Sequence, residues 1–150
     1  MKIINIFVLI RVGLASIFIV SGFEKLTGPY QNFLYVIEGY DIFPRLLELF
    51  TAHTIPWVEF FIGIFLFLGL WTIWALRGFL LMVTVFIVIV SQAILRQLPI
   101  TECGCFGELM SFPLHIVLLF DSCLFLLTAG LILKMDQSTS LSLDKYFSSK

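Results

Sequence analysis

Charged residues are scarce in this sequence, because Asp, Glu, Lys and Arg together make up 13% of its 150 residues. A water-soluble domain carries about a quarter. The few charges nearly cancel, since nine Lys and Arg residues stand against ten Asp and Glu residues. A basic face for nucleic acid and an acidic tail for a basic partner are therefore both excluded.

Cysteine and histidine are also rare, with three and two residues. Three cysteines are too few for a disulfide scaffold, so any cysteine chemistry has to be local. Cys103 and Cys105 with His53 or His115 would offer soft ligands for copper(I) or zinc. These residues come from three separate segments without a zinc-finger spacing, and we therefore predict no metal site.

Hydrophobic residues, in contrast, make up 60% of the chain. They form four long runs at residues 3–23, 56–74, 78–95 and 112–133. Each run matches the length that a helix needs to cross ~30 Å of hydrocarbon. Lipid-exposed backbone has to satisfy its hydrogen bonds within the segment, which only a helix does here. The sequence predicts an all-α, integral membrane bundle of four transmembrane helices in a lipid bilayer.

The connection between the first two runs, residues 27–55, is too polar to cross the membrane but rich in large apolar side chains. Pro29 is placed to start a short helix and Gly39 to end it, and Pro44 is placed to start a second. The apolar spacing is typical of amphipathic helices that lie at the interface. We expect two short interfacial helices here.

The remaining boundaries complete the predicted domain organisation. A tight corner at residues 76–78 would join spans two and three. We expect residues 1–135 to form one membrane domain and the Ser-rich, polar residues 136–150 to form a flexible cytoplasmic tail.

Lys and Arg residues near the spans predict the orientation of the chain. With the N-terminus inside, the cytoplasmic set outnumbers the outer set: Lys2, Arg77, Lys134, Lys145 and Lys150 against Lys25, Arg45 and Arg96. We expect a multi-pass protein of a bacterial inner membrane, with both termini cytoplasmic and the loop that contains Cys103 and Cys105 in the periplasm.

The sharpest local motif is the Cys103-Gly104-Cys105 triplet, followed by Gly107. Two cysteines one residue apart can just meet the ~4.4–6.8 Å Cα separation of a disulfide. So small a ring strains the bond, and strained, exposed disulfides exchange readily with thiols. Gly104 and Gly107 suit the unusual backbone angles of such a ring. We predict that Cys103 and Cys105 form a redox-active pair, with a static disulfide or a capped turn as the alternative. The third cysteine, Cys123, is interpreted as a buried packing residue.

Three charges fall inside the predicted spans, namely Arg11, Glu59 and Asp121. Such residues usually face the bundle interior and pair. From their depths, we expect Arg11 to pair with Asp121, and Glu59 to pair with Lys25 or Arg96. They form either ion pairs that fix helix register or a polar site under the cysteine loop.

Four motifs in order resemble the MauE branch of the DoxX-like membrane proteins: residues 11–25, 39–44, 55–59 and 103–107. The resemblance implies a four-helix membrane bundle with a role in making or maturing periplasmic proteins. In the family, the protein that is matured is methylamine dehydrogenase. Carried over to this chain, it implies a cysteine pair at Cys103 and Cys105 and a polar cluster of Arg11, Lys25 and Glu59.

We therefore expect a membrane protein that presents Cys103 and Cys105 for thiol–disulfide exchange with a thioredoxin-like partner or a periplasmic client, as a component of a thiol–disulfide oxidoreductase. No cofactor motif is evident, although a flat quinone would fit between aromatic-rich helices. The alternatives are a non-catalytic subunit that docks another protein through residues 27–55, and a small metal-handling or transport protein.

Overall fold

The structure, a computed structural model, describes residues 6–98 and 113–134. Within these ranges all regular structure is helical, and it comprises α1 (Ile6–Thr27), α2 (Tyr30–Gly39), α3 (Arg45–Leu68), α4 (Thr72–Leu95) and α5 (Leu114–Leu133). Helices α1, α3, α4 and α5 are long and apolar enough to cross a membrane. The predicted all-α membrane bundle of four spans is confirmed.

Proline starts the helices of the first long connection, as the sequence predicts. Pro29 directly precedes α2, which confirms the first short helix, and Pro44 directly precedes α3. The second short helix is not separate, however, because α3 continues from Arg45 through the predicted start of span two to Leu68. Pro56 lies inside α3 without ending it. Membrane helices tolerate proline where neighbouring groups satisfy the freed backbone oxygen.

The turn between α3 and α4 lies earlier than the sequence predicts. Gly69 caps α3 in the left-handed conformation with φ 67°, and Trp71 follows with φ 46°. Glycine adopts positive φ without the steric cost of a Cβ, which is why helices commonly end there. The expected corner at residues 76–78 is therefore wrong, because this segment lies inside α4.

The bundle packs as two close pairs, α1 along α3 and α4 along α5, with α3 also touching α4. The rings of Phe18 in α1 and Phe79 in α4 stack with centroids 4.0 Å apart and join the pairs at the centre. Around them lies a core of mainly aliphatic side chains: Leu14, Ala15, Leu66, Ala75, Leu76, Met82, Val83, Leu124 and Leu131.

Polarity in the bundle is distributed as expected for a protein in lipid. Arg11, Glu59 and Asp121 are all buried, which confirms that these charges face the interior, and Lys25 is buried as well. The outside of the bundle is covered by large apolar side chains, which include Leu9, Val20, Phe61, Phe67, Leu81, Val88, Leu119 and Leu126. Cys123 is exposed on α5, so the interpretation of this cysteine as a buried packing residue is wrong.

Glycine brings α1 and α3 into backbone contact. A Cβ at Gly22 would lie 2.8 Å from the backbone nitrogen of Phe60, and one at Gly63 would lie 2.8 Å from that of Ile19. Small residues let membrane helices approach closely because lipid tails offer no hydrophobic drive for association. These two glycines therefore set the distance between α1 and α3.

Replacing Gly22 with alanine should separate the two helices and destabilise the bundle by about 1–3 kcal/mol, the usual cost of overpacking. Thermal unfolding in detergent micelles measures this loss. Gly130→Ala is the matched control, since a Cβ at Gly130 meets nothing within 4 Å. Equal melting temperatures for the two variants would contradict the proposed role of Gly22.

Candidate functional site

A fully buried ion pair joins α1 to α3. Lys25 Nζ lies 2.8 Å from Oε2 and 3.0 Å from Oε1 of Glu59, and each side chain is 1% exposed. Lys25 therefore donates to both carboxylate oxygens in a site closed to solvent. Of the two partners expected for Glu59, the structure confirms Lys25.

Ser21 completes the pair as a third polar group. Lys25 Nζ donates to Ser21 Oγ at 3.1 Å, and the Ser21 hydroxyl donates to Glu59 Oε2 at 3.2 Å. Ser21 and Lys25 are four residues apart on α1 and so share one helix face. Sequence reasoning missed Ser21, although its spacing from Lys25 was a usable signal. An ammonium has three donors, and these contacts engage all three.

Two aromatic rings enclose the Lys25 ammonium. Its Nζ lies 5.1 Å from the ring centroid of Phe33 in α2 and 5.8 Å from that of Phe86 in α4. A cation within about 6 Å of a ring face is attracted by the ring's quadrupole. Lys25 thus links α1 to α2 and α4 as well as to α3.

Asp121 from α5 lies on the other side of a small cavity from this pair. Ser21, Glu59 and Asp121 line the cavity together with Phe86, and its volume is about 10 Å³. Asp121 Oδ2 is buried without a hydrogen-bond partner among the described residues. A space of this size is at the limit for one water molecule, which would donate to the buried carboxylate oxygens. The sequence-predicted Lys25, Glu59 and Asp121 are therefore brought to one place.

Arg11 lies elsewhere in the bundle. It precedes Lys25 by fourteen residues on α1, which corresponds to roughly 21 Å along a helix. Ion pairs between residues described in 6–98 and 113–134 do not include one between Arg11 and Asp121. Arg11 is therefore buried but is not part of the cluster that contains Lys25.

Tyr40, just after α2, lies close to this charged interior. Burial and, secondarily, the nearby Asp121 carboxylate raise the pKa of the Tyr40 phenol to about 12. The phenol therefore stays protonated throughout the physiological pH range and remains a hydrogen-bond donor.

The two ends of the cysteine loop are held against the link between α2 and α3. Arg96, the residue after α4, donates to the backbone oxygens of Tyr40 at 3.4 Å and Asp41 at 3.2 Å. It also lies 3.5 Å from the Asp41 carboxylate, so the alternative pairing of Arg96 with Glu59 is not formed. Below these contacts is a stem cluster that contains residues from both sides of the loop: Tyr40, Val90, Ala93, Leu114 and Val117, with Leu98 packed against them.

The predicted cysteine pair and its two glycines lie outside the described residues. Cys103, Gly104, Cys105 and Gly107 fall between Leu98 and Pro113, where the description resumes. Within residues 6–98 and 113–134, no three His, Cys, Asp or Glu side chains come together to hold a metal ion.

These features define a class of protein, a multi-pass membrane bundle of four spanning helices in which a buried ion pair joins α1 to α3. The family model for methylamine utilisation protein MauE matches residues 3–134 of this chain. The chain therefore belongs to the MauE family. No curated protein and no solved structure matches it.

Removing one partner of the buried pair should be far more damaging than removing both. Glu59→Leu leaves the Lys25 ammonium buried and uncompensated, which costs about 3–5 kcal/mol, whereas the double variant Lys25→Met/Glu59→Leu should recover most of that loss. Reversible unfolding in mixed detergent micelles measures both.

The exposed ion pair between Glu38 and Arg45 provides the control, because the Arg45 side chain is 65% exposed. Removing this ion pair by Glu38→Gln should change the free energy of unfolding by at most about 1 kcal/mol. A Glu59→Leu loss no greater than that of Glu38→Gln would show that the buried pair does not stabilise the bundle.

Proposed function

We propose that this membrane protein presents Cys103 and Cys105 for thiol–disulfide exchange in the maturation of periplasmic proteins. The observation that carries this proposal is the anchoring of both ends of the cysteine loop. The stem cluster joins the end of α4 to the start of α5. Arg96, the residue after α4, binds the α2–α3 link through the backbone oxygen of Asp41. These contacts bring the described residues on either side of the cysteine loop together at one place on the bundle, next to the α2–α3 link.

The exchange itself needs only the two sulfurs and a partner. A Cys103 or Cys105 thiolate attacks a sulfur of the partner's disulfide, and the partner's other sulfur leaves as a thiolate. The second cysteine then attacks the mixed disulfide and releases the partner as a dithiol, so that the Cys103–Cys105 bond forms. In the opposite direction, the same steps oxidise a client.

A cation near the loop favours the thiolate that begins this exchange. Lys25 and Arg96 are the two cations to compare for this role. The donors of Lys25 are already taken by Glu59 and Ser21 in a closed site. Arg96 lies at the base of the loop with its side chain 40% exposed, and we assign this role to Arg96.

The buried cluster has a supporting role in this proposal. The Lys25–Glu59 pair and its aromatic contacts hold α1, α2, α3 and α4 together at the end of the bundle where the α2–α3 link lies. The same end bears the anchored cysteine loop. We infer that Lys25, Glu59 and Asp121 are positioning residues that keep this end rigid.

The excess of Lys and Arg at the opposite end of the spans supports the orientation in which the cysteine loop faces the periplasm. Bacterial periplasm is oxidising and lets a disulfide persist. We therefore place the protein in the inner membrane with a thioredoxin-like protein or a maturing client as its partner.

A second candidate function, a non-catalytic docking subunit, is favoured by one observation. In the first turns of α3, Leu46 is 81% exposed and Phe50 is 67% exposed. This apolar surface lies at the same end as the α2–α3 link and suits a membrane-embedded partner. Under this alternative, loss of Cys103 and Cys105 leaves function intact, whereas Leu46→Asp/Phe50→Asp abolishes it.

A single cysteine substitution should trap the partner. Cys105→Ser or Cys103→Ser removes the second sulfur, so the mixed disulfide persists and is seen as a higher band on a non-reducing gel that disappears with reductant. Cys123→Ser is the control, because Cys123 is an exposed cysteine inside α5, nine residues after the first residue of that helix. Failure of both single variants to capture any protein would contradict the exchange mechanism.

The orientation is tested by labelling intact bacterial cells after mild reduction. A membrane-impermeant maleimide should modify Cys103 and Cys105 if their loop faces the periplasm. A cysteine introduced at Ser140 in the tail should react only after the cells are permeabilised. The reverse pattern would place the loop in the cytoplasm and overturn the proposal.

A further inference from the structure

The small cavity beside the buried ion pair brings two carboxyl groups together. Glu59 and Asp121 both line it, and they are 1% and 2% exposed. Ser21 lines it too and supplies a hydroxyl group. With a volume of about 10 Å³, the cavity is at the limit for one water molecule, which needs about two to four polar partners. It therefore has the size and the polar groups to hold a single water between the two carboxyl groups.

The Lys25 ammonium compensates only one of these carboxyl groups. Its Nζ lies 2.8 Å from Oε2 and 3.0 Å from Oε1 of Glu59. The ion pairs of residues 6–98 and 113–134 do not include one with Asp121, and Asp121 Oδ2 has no hydrogen-bond partner among these residues. An ionised Asp121 would therefore be an uncompensated charge inside the bundle. Burial of such a charge is so costly that a carboxyl group takes up a proton instead.

The other described groups around Asp121 supply no positive charge. The remaining side chains that line the cavity are apolar: Phe18, Val83, Phe86 and Leu124. Tyr40, which follows α2, keeps its proton at physiological pH and is neutral. Arg11 precedes Lys25 by roughly 21 Å along α1. Among the described residues, Lys25 is therefore the one cation beside the cavity, and two carboxyl groups share it.

We propose that this cavity is a proton-binding site in which Asp121 holds one exchangeable proton while Glu59 stays ionised. The ammonium 2.8 Å from Glu59 Oε2 favours the ionised form of Glu59, so the proton belongs on Asp121. The protonated carboxyl group brings one O–H donor and one carbonyl acceptor to the cavity. A water molecule there exchanges hydrogen bonds with both carboxyl groups.

Binding and release of this proton need no redox partner. A hydronium ion gives its proton to the Asp121 carboxylate, so that one O–H bond breaks, one forms and a water molecule remains. Release is the reverse step. Neither Cys103 nor Cys105 is needed, and the Cys103→Ser/Cys105→Ser variant should keep the site intact. Failure of this site and failure of the proposed thiol–disulfide exchange are therefore distinguishable.

Infrared spectroscopy of the purified protein in detergent at neutral pH tests the site directly. The wild-type protein should show the C=O stretching band of one buried, protonated carboxyl group, and this band should shift in heavy water because the proton exchanges. Asp121→Asn should remove the band and still fold, because asparagine is neutral and has nearly the shape of a protonated aspartate. The control Glu38→Gln, which removes a carboxylate already paired with Arg45, should leave the band unchanged.

Isotope labelling assigns the proton to one carboxyl group, even if Asp121→Asn does not fold. Wild-type protein made by cell-free synthesis with ¹³C-carboxyl aspartate should show the band at a lower frequency, whereas ¹³C-carboxyl glutamate should leave it in place. A shift with labelled glutamate instead would put the proton on Glu59 and refute the assignment to Asp121. A band that does not respond to heavy water would refute an exchangeable proton.

Sodium chloride and choline chloride separate a proton from a metal cation as the balancing charge. At equal concentration the two salts should have equal effects on the melting temperature of the wild-type protein, because a proton already compensates Asp121. A ligand that binds only the folded state raises the melting temperature. If the carboxyl band is absent, and sodium chloride stabilises the wild type but not Asp121→Asn, then the cavity is a sodium site and the proton assignment is wrong.

Discussion

The buried ion pair between Lys25 and Glu59 is the interaction on which the rest of this structure depends. Two charges withdrawn from water are costly unless their geometry is excellent and further hydrogen bonds satisfy them. Here both carboxylate oxygens and Ser21 meet the ammonium at hydrogen-bonding distance. Glycine makes this geometry attainable, because Gly22 and Gly63 let α1 and α3 approach until their backbones touch. In lipid, where apolar surface alone gives helices no reason to associate, such specific contacts select one arrangement.

A series of contacts leads from this pair to the end of the bundle where Arg96 and the α2–α3 link lie. The rings of Phe33 and Phe86 enclose the ammonium and so connect the pair to α2 and α4. Tyr40 follows α2, and its backbone oxygen accepts a hydrogen bond from Arg96 at the end of α4. Charge pairing, aromatic contacts and the stem cluster thus form one continuous path from the membrane interior to the base of the cysteine loop. The proposed exchange chemistry relies on this path, which joins the described residues on either side of the cysteine loop.

Much of this could be predicted from the sequence, for identifiable physical reasons. Long apolar runs without charges admit few structures other than spanning helices, so the fold class and the interior position of Glu59 and Asp121 followed directly. Helix boundaries were harder, since α3 runs through Pro56 and ends at Leu68, just before Gly69, and neither fact is visible in hydropathy. Pairing depends on which helix faces meet. Depth along the membrane therefore limited the partner of Glu59 to Lys25 or Arg96, of which Lys25 is correct. Depth also paired Arg11 with Asp121, a pair that is not among the ion pairs of residues 6–98 and 113–134.

The proposed function depends on an exchangeable pair at Cys103 and Cys105. The most direct test is the redox state of these two cysteines in intact cells, read by thiol alkylation and gel shift before and after brief treatment with dithiothreitol. The account predicts a disulfide in part of the wild-type population, which opens on reduction and reforms when the reductant is washed out. Two free thiols that never become oxidised, or a disulfide that resists reduction in the folded protein, would contradict it.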